Sequence, residues 1–299
     1  MIAAVVAAVA GFGVAPRAAV AAEQPVAVDP TDAMGPSQTL SGSFASAALE
    51  RVMPYLVYLP PGYATGSHRY SVLYMLHGLG GSDSEWRGMG LLDAADAMIR
   101  AHQIAPLIIV LPQGDHGYWM DHAGSDHEAW GTYTARDLVA EIDGNFRTIP
   151  DREHRAIGGD SMGAHGAIQL ALNHPDTFGV AGGHSLVLRP FEQAFPFFGD
   201  RTQYAQRDPM SIVPAKPDAA RSLTLWIDIG DKDPWAARAA LFQAELGRFG
   251  LSSEWHEWPG DHSATYWHAH LGDYLRFYDG ALRWSGKRAR VSTVPLIAP

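Results

Sequence analysis

The sequence predicts an α/β fold, a mainly parallel sheet with helices on both faces. Strand-length apolar runs alternate with helix-spaced segments along most of the chain. Several of those runs, such as residues 70–76 and 107–111, are apolar throughout, as strands covered on both faces are. No internal repeat divides the 299 residues, and 47% hydrophobic content suffices for one large core.

The elements follow in order. Residues 1–22 read as a secretory signal. An Ala-rich apolar run from Ile2 to Ala15 leads to Ala19-Val20-Ala21, a small-x-small cleavage pattern, although no Lys or Arg precedes the run. The expectation is a secreted or periplasmic protein. The run is too short to span a bilayer, so no stable membrane insertion is expected. Residues 23–42, rich in Pro, Asp, Ser and Thr, read as a linker. A catalytic domain is expected over 43–284 and a loose tail over 285–299.

Within the domain, Met53, Tyr55, Val57 and Leu59 alternate as on a half-buried strand, ended by Pro60-Pro61-Gly62. A buried strand over 70–76 follows, then a helix over 86–102 and a strand over 107–111. Leu138, Val139, Ile142 and Phe146 recur at helical spacing within 132–146. A strand over 154–158 and a helix over 163–173 flank residues 159–163. Residues 180–185 form the next strand and 187–220 read as irregular. A strand over 223–229, a helix over 236–249 stopped by Gly250, a strand over 253–258 and a helix over 267–278 complete the pattern.

Composition removes several function classes. The net charge of −10 leaves no basic field for a phosphate backbone, so no nucleic-acid partner is expected. With no cysteine there are no disulfides, thiolate nucleophiles or cysteine-based zinc sites. Asp121, His122, Asp126, His127 and Glu128 are dense in possible ligands, but their spacing matches no zinc or calcium pattern. The expectation is no metal and no cofactor.

The chemistry concentrates at Gly159-Asp160-Ser161-Met162-Gly163, a G-x-S-x-G sequence between a strand and a helix. So tight a turn strains the serine backbone and leaves no room for side chains at either glycine. A serine hydroxyl is a poor nucleophile at neutral pH. It needs a base for its proton and an anion to orient that base. Where a G-x-S-x-G nucleophile elbow tops such a sheet, the chain order is serine, acid, histidine. His262, in the loop between the last strand and the last helix, fits the base. His256 falls in a strand, and His268 and His270 in a helix. The segment 227–234 holds three carboxylates. Asp228, at the strand end, reads as structural. Asp233 is favoured as the acid, with Asp231 the alternative; a plain cap of the following helix is the competing reading of Asp233. The developing oxyanion needs two preset N–H groups. Met162 supplies one, and Leu79, in the Gly-rich loop His77-Gly-Leu-Gly-Gly81, the other.

His77-Gly78, Gly159-Asp-Ser-Met-Gly163, Gly230-x-x-Asp233 and Gly260-x-His262 together resemble the putative-esterase branch of the α/β-hydrolases. That group contains feruloyl esterases, S-formylglutathione hydrolases and mycolyltransferases. The resemblance runs from about Ser43 to Tyr278. It implies the α/β-hydrolase fold, Ser161 as nucleophile, Asp233 as acid, His262 as base, and Leu79 and Met162 as oxyanion donors. It also implies a carboxylesterase acting on a small-molecule or polysaccharide-linked ester, with acylated polysaccharide or feruloyl-type aromatic esters fitting an exported chain best. An acyltransferase with the same triad, or a non-catalytic binding protein on the same scaffold, are the alternatives. Trp119, Trp130 and Tyr133 are expected to line the cleft, with a packed aromatic cluster as the competing reading.

Overall fold

The computed structural model describes residues 35–124 and 128–292. The expected signal segment, residues 1–22, lies outside them. Eight strands form one sheet: β1 (Gln38–Ser46), β2 (Arg51–Leu59), β3 (Val72–Leu76), β4 (Ile108–Pro112), β5 (Arg155–Asp160), β6 (Val180–His184), β7 (Thr224–Gly230) and β8 (Glu254–Trp258). Their order across the sheet is β1-β2-β4-β3-β5-β6-β7-β8. β1 pairs antiparallel to β2, and β2 to β4. From β4 to β8 every pairing is parallel.

The helices are α1 (Glu85–Gly88), α2 (Leu91–Arg100), α3 (Trp130–Thr132), α4 (Val139–Asn145), α5 (Met162–Asn173), α6 (Arg201–Ala205), α7 (Pro209–Ala215), α8 (Pro217–Arg221), α9 (Ala236–Arg248), α10 (Ala264–Ala269) and α11 (Leu271–Ser292). A wide π-helical turn, Tyr133–Leu138, joins α3 to α4. Successive side chains of a strand point to opposite faces, so β3 feeds two cores. Val72, Tyr74 and Leu76 pack with α4, α5 and α9 on one face, and Leu73 and Met75 with α2 and α11 on the other.

β1 falls across the expected linker. Its sequence, QTLSGSFAS, carries little apolar signal because most of the strand is exposed. It is held by its ladder to β2, and Tyr55 crosses Gly42 so closely that a Cβ there would overlap the ring, with the Tyr55 hydroxyl at 2.7 Å. The helix expected over 86–102 is two, hinged at Gly90 with φ 89°. The irregular 187–220 segment contains α6, α7 and α8. The last helix breaks at His270 and runs on to Ser292, so the expected tail is helical to that point.

Strand order sets the site. β3 lies between β4 and β5, so the chain leaves β3 to one side and returns on the other. A crevice opens at the carboxyl ends of the strands at such a reversal. The register pairs Leu76 with Gly159. The loop after β3 and the turn after β5 therefore emerge side by side.

Candidate active site

Ser161 sits between β5 and α5 with φ 55° and ψ −113°, a left-handed conformation that non-glycine residues rarely adopt. Such strain costs about 1–3 kcal/mol and persists only where the surroundings impose it. Here Ser161 N–H donates to His184 O on β6 at 3.0 Å, and Ser161 O accepts from His165 N at 3.2 Å. The flanking glycines are steric requirements. A Cβ on Gly159 would meet Leu76 O at 2.5 Å and the Gly163 carbonyl carbon at 2.7 Å. One on Gly163 would lie 2.9 Å from His77 O and closer still to Leu76.

His262 follows β8, and its ring joins the serine to the acid. Its Nε2 is 2.8 Å from Ser161 Oγ, and its Nδ1 is 2.6 Å from Asp233 Oδ2. With hydrogen on Nδ1 the ring donates to Asp233, and Nε2 is free to accept the serine proton. The Asp233 side chain is wholly buried, and its Oδ1 accepts Trp235 N–H at 2.8 Å. The same carboxylate thus orients the histidine and holds the turn before α9. Asp231 is occupied elsewhere. Its Oδ1 accepts Gly260 N–H at 2.9 Å, while Lys232 N–H donates to Gly260 O at 2.8 Å. These bonds lace the loop after β7 to the loop carrying His262.

The loop His77–Gly81 lies against Ser161, because a Cβ on Gly78 would stand 3.5 Å from Ser161 Cβ. Among the described residues, neither Leu79 N–H nor Met162 N–H donates to a chain acceptor. His77 is buried and holds the loop down. Its Nδ1 donates to Gly78 O at 2.7 Å and its Nε2 accepts Gly114 N–H at 2.9 Å. Burial lowers the His77 pKa, which keeps the ring in the neutral form that this pair of bonds needs. Glu85 Oε1 accepts Gly78 N–H at 2.7 Å. Asp160, fully buried beside it, has a pKa raised well above the carboxylate range by burial, then by the charge of Glu85 and its hydrogen bond.

Trp119, Trp130 and Tyr133 do not line a cleft. All three are buried in the core. Trp119 fills the space that a Cβ on Gly114 or Gly166 would take, and Trp130 that of one on Gly117. Trp119 Nε1 donates to His77 O at 3.2 Å, so it supports the loop from beneath. Of the ligand-dense run, Asp121 accepts from Thr132, and Glu128 from Arg51 and Trp130. Asp126 and His127 lie outside the described residues.

A buried polar network beneath the elbow went unnoticed in the sequence. Asp228 accepts four bonds: from Trp226 Nε1 at 2.6 Å, His184 Nδ1 at 2.7 Å, Tyr266 Oη at 3.0 Å and Tyr274 Oη at 3.1 Å. Tyr278 Oη donates to His184 Nε2 at 2.9 Å. The only prior signal was a carboxylate at an apolar strand end. Trp267 was missed too. It meets the His262 ring edge-to-face at 5.3 Å and donates to Ser185 Oγ at 3.0 Å.

This fold and this serine site define an α/β-hydrolase of the serine ester hydrolase class. Residues 46–278 match the model of the family described as Putative esterase, and the chain belongs to that family. It is 36% identical over 132 residues to Esterase Rv1288 of Mycobacterium tuberculosis, a match covering 43% of this chain and 28% of that protein. It is 31% identical over 147 residues to an endo-1,4-beta-xylanase/feruloyl esterase of Xylanibacter ruminicola, covering 47% and 20%. The matches thus span under a third of these relatives. Among solved structures, a ferulic acid esterase aligns with TM-score 0.74 at 24% identity, covering 82% of this chain and 98% of that one. An S-formylglutathione hydrolase from Agrobacterium tumefaciens aligns with TM-score 0.70 at 23% identity, covering 82% and 96%. At these identities the structural likeness speaks to fold alone.

Proposed function

We propose that the protein is an exported carboxylesterase that works through an acyl-enzyme on Ser161, with His262 as base and Asp233 as its orienting acid. The observation that carries this reading is the unbroken hydrogen-bonded run from Ser161 Oγ through His262 to the buried Asp233 carboxylate. Ser161 Oγ bonds to the ester carbonyl carbon as its proton passes to His262 Nε2. The carbonyl electron pair moves onto oxygen and is held by the N–H groups of Leu79 and Met162. The intermediate collapses, the bond to the alcohol breaks, and the alcohol leaves with the proton from His262. Water repeats the sequence on the acyl-enzyme, releasing the acid and restoring Ser161. Each oxyanion donor is worth about 10²–10³ in kcat.

The substrate reading, an acylated polysaccharide or aromatic ester, draws on the xylanase/feruloyl esterase relative. Export rests on residues 1–22 alone. The test is hydrolysis of p-nitrophenyl acetate, butyrate and octanoate, and of methyl ferulate, by the wild type and by Ser161→Ala. Turnover abolished in a folded alanine variant supports the mechanism. A folded wild type inert on every ester overturns it.

A further inference from the structure

The loops after β6 and β7 meet at the catalytic end of the sheet, and Arg189 lies where they meet. Its guanidinium sits 4.7 Å from the Phe195 ring centroid and 5.2 Å from that of Trp235, two residues past the Asp233 carboxylate. Its Nε donates to Tyr118 Oη at 2.9 Å, and its backbone carbonyl accepts from Tyr204 Oη at 2.7 Å. Among the described residues Arg189 joins no ion pair, and neither Nη donates to the chain. Of the neighbouring charges, Glu192 is held by Arg201 at 2.9 Å, and the buried Asp208 takes the Ser211 hydroxyl on Oδ2 at 2.8 Å while its Oδ1 has no partner among the described residues; Arg238 adds a second positive charge near Tyr204.

The chain bounds how far Arg189 can lie from the Ser161 turn. His184, which accepts Ser161 N–H, is five residues upstream, and the four steps from Ser185 span at most about 14 Å of extended chain. A guanidinium held by two rings and fixed at Nε presents its remaining N–H pairs in one plane. That fork matches a carboxylate, and little side-chain entropy is left to lose on binding.

The geometry points to Arg189 as a specificity residue that binds a carboxylate carried by the substrate, on either its acyl or its alcohol half. The inference rests on the esterase reading above and narrows its substrates to anionic esters, such as uronic-acid-linked or dicarboxylic half-esters.

Two matched pairs test it: p-nitrophenyl hemisuccinate against p-nitrophenyl butyrate for the acyl half, and 4-acetoxybenzoate against 4-acetoxybenzamide for the alcohol half. In at least one pair the wild type should prefer the charged member. Arg189→Met should cut kcat/KM for that member about 10-fold, mainly through KM, and leave its neutral partner within about twofold. Arg189→Lys, which keeps the charge and loses the fork, should recover only part of the preference. Neutral esters turned over without any charge preference, or a preference surviving in Arg189→Met, overturn the inference and leave the esterase reading intact. If no ester of either kind is turned over, the esterase reading itself fails.

Discussion

Gly163→Ala tests whether the elbow is as tight as the contacts imply. The new methyl would stand 2.7 Å from the Leu76 carbonyl carbon and 2.9 Å from His77 O, whereas ordinary contact begins near 3.4 Å. Both neighbours are backbone, and Leu76 and His77 lead directly into the loop bearing Leu79. Leu76 O lies nearer still, so something must yield by more than about 0.7 Å, and either the His77–Gly81 loop or the first turn of α5 moves. A misplacement of about 1 Å at a reacting centre costs about 10²-fold in rate. The expected result is a kcat on p-nitrophenyl acetate lowered about 10- to 100-fold, with a lower Tm. Gly247→Ala is the control: no atom lies within 4 Å of its Cβ position on α9, and alanine there should leave kcat unchanged and stabilise slightly. A Gly163→Ala enzyme with wild-type kcat and Tm would refute the argument that this glycine is a steric requirement.

Two further outcomes follow. Asp160 is buried with its pKa raised, so the unfolded chain gives up that proton at lower pH than the folded one. Its contribution is complete below the ordinary carboxylate range, near pH 4, and is lost as pH rises towards the folded value. Asp160→Asn keeps a neutral donor beside Glu85. The Tm of the variant relative to wild type should therefore rise as pH rises above about 4, and a pH-independent difference in thermal melts contradicts the assignment. Tyr278→Phe removes the donor to His184 Nε2 and opens the space that a Cβ on Gly158 or Gly182 would occupy. Urea unfolding should show a loss of about 1–3 kcal/mol, and unchanged stability would mean that water replaces the phenol.

The parallel half of the fold was legible because burial on both faces writes an unmistakable pattern. β3 and β4 are apolar at every position, and the alternation with helices follows from parallel pairing. β1 was illegible for the opposite reason: backbone pairing to β2 holds it, and backbone pairing leaves no trace in side-chain type. In the site, chain order located Ser161, Asp233 and His262, which the structure brings within hydrogen-bond distance. The aromatic residues misled because a large ring reads alike whether it floors a cleft or fills a core slot. For Trp119 and Trp130 the glycines opposite, Gly114, Gly117 and Gly166, decide between the two, and the sequence does not show which glycine faces which ring.

Ser161 and His262 are positioned by different parts of the molecule. Ser161 is fixed by β5, α5 and its bond to His184, above the Asp228 network. His262 is fixed by a loop laced to Asp231 and Lys232 across the β7–β8 pair. The two supports join through the strand ends, where Ser185 N–H donates to Asp228 O at 2.9 Å, and through one side chain, Trp267, which bonds Ser185 and packs on His262. The Ser161–His262 hydrogen bond therefore depends on the β6–β7 junction as well as on the two loops. A buried network of four donors on one carboxylate suits that junction, because each donor lost leaves a buried acceptor site without its partner.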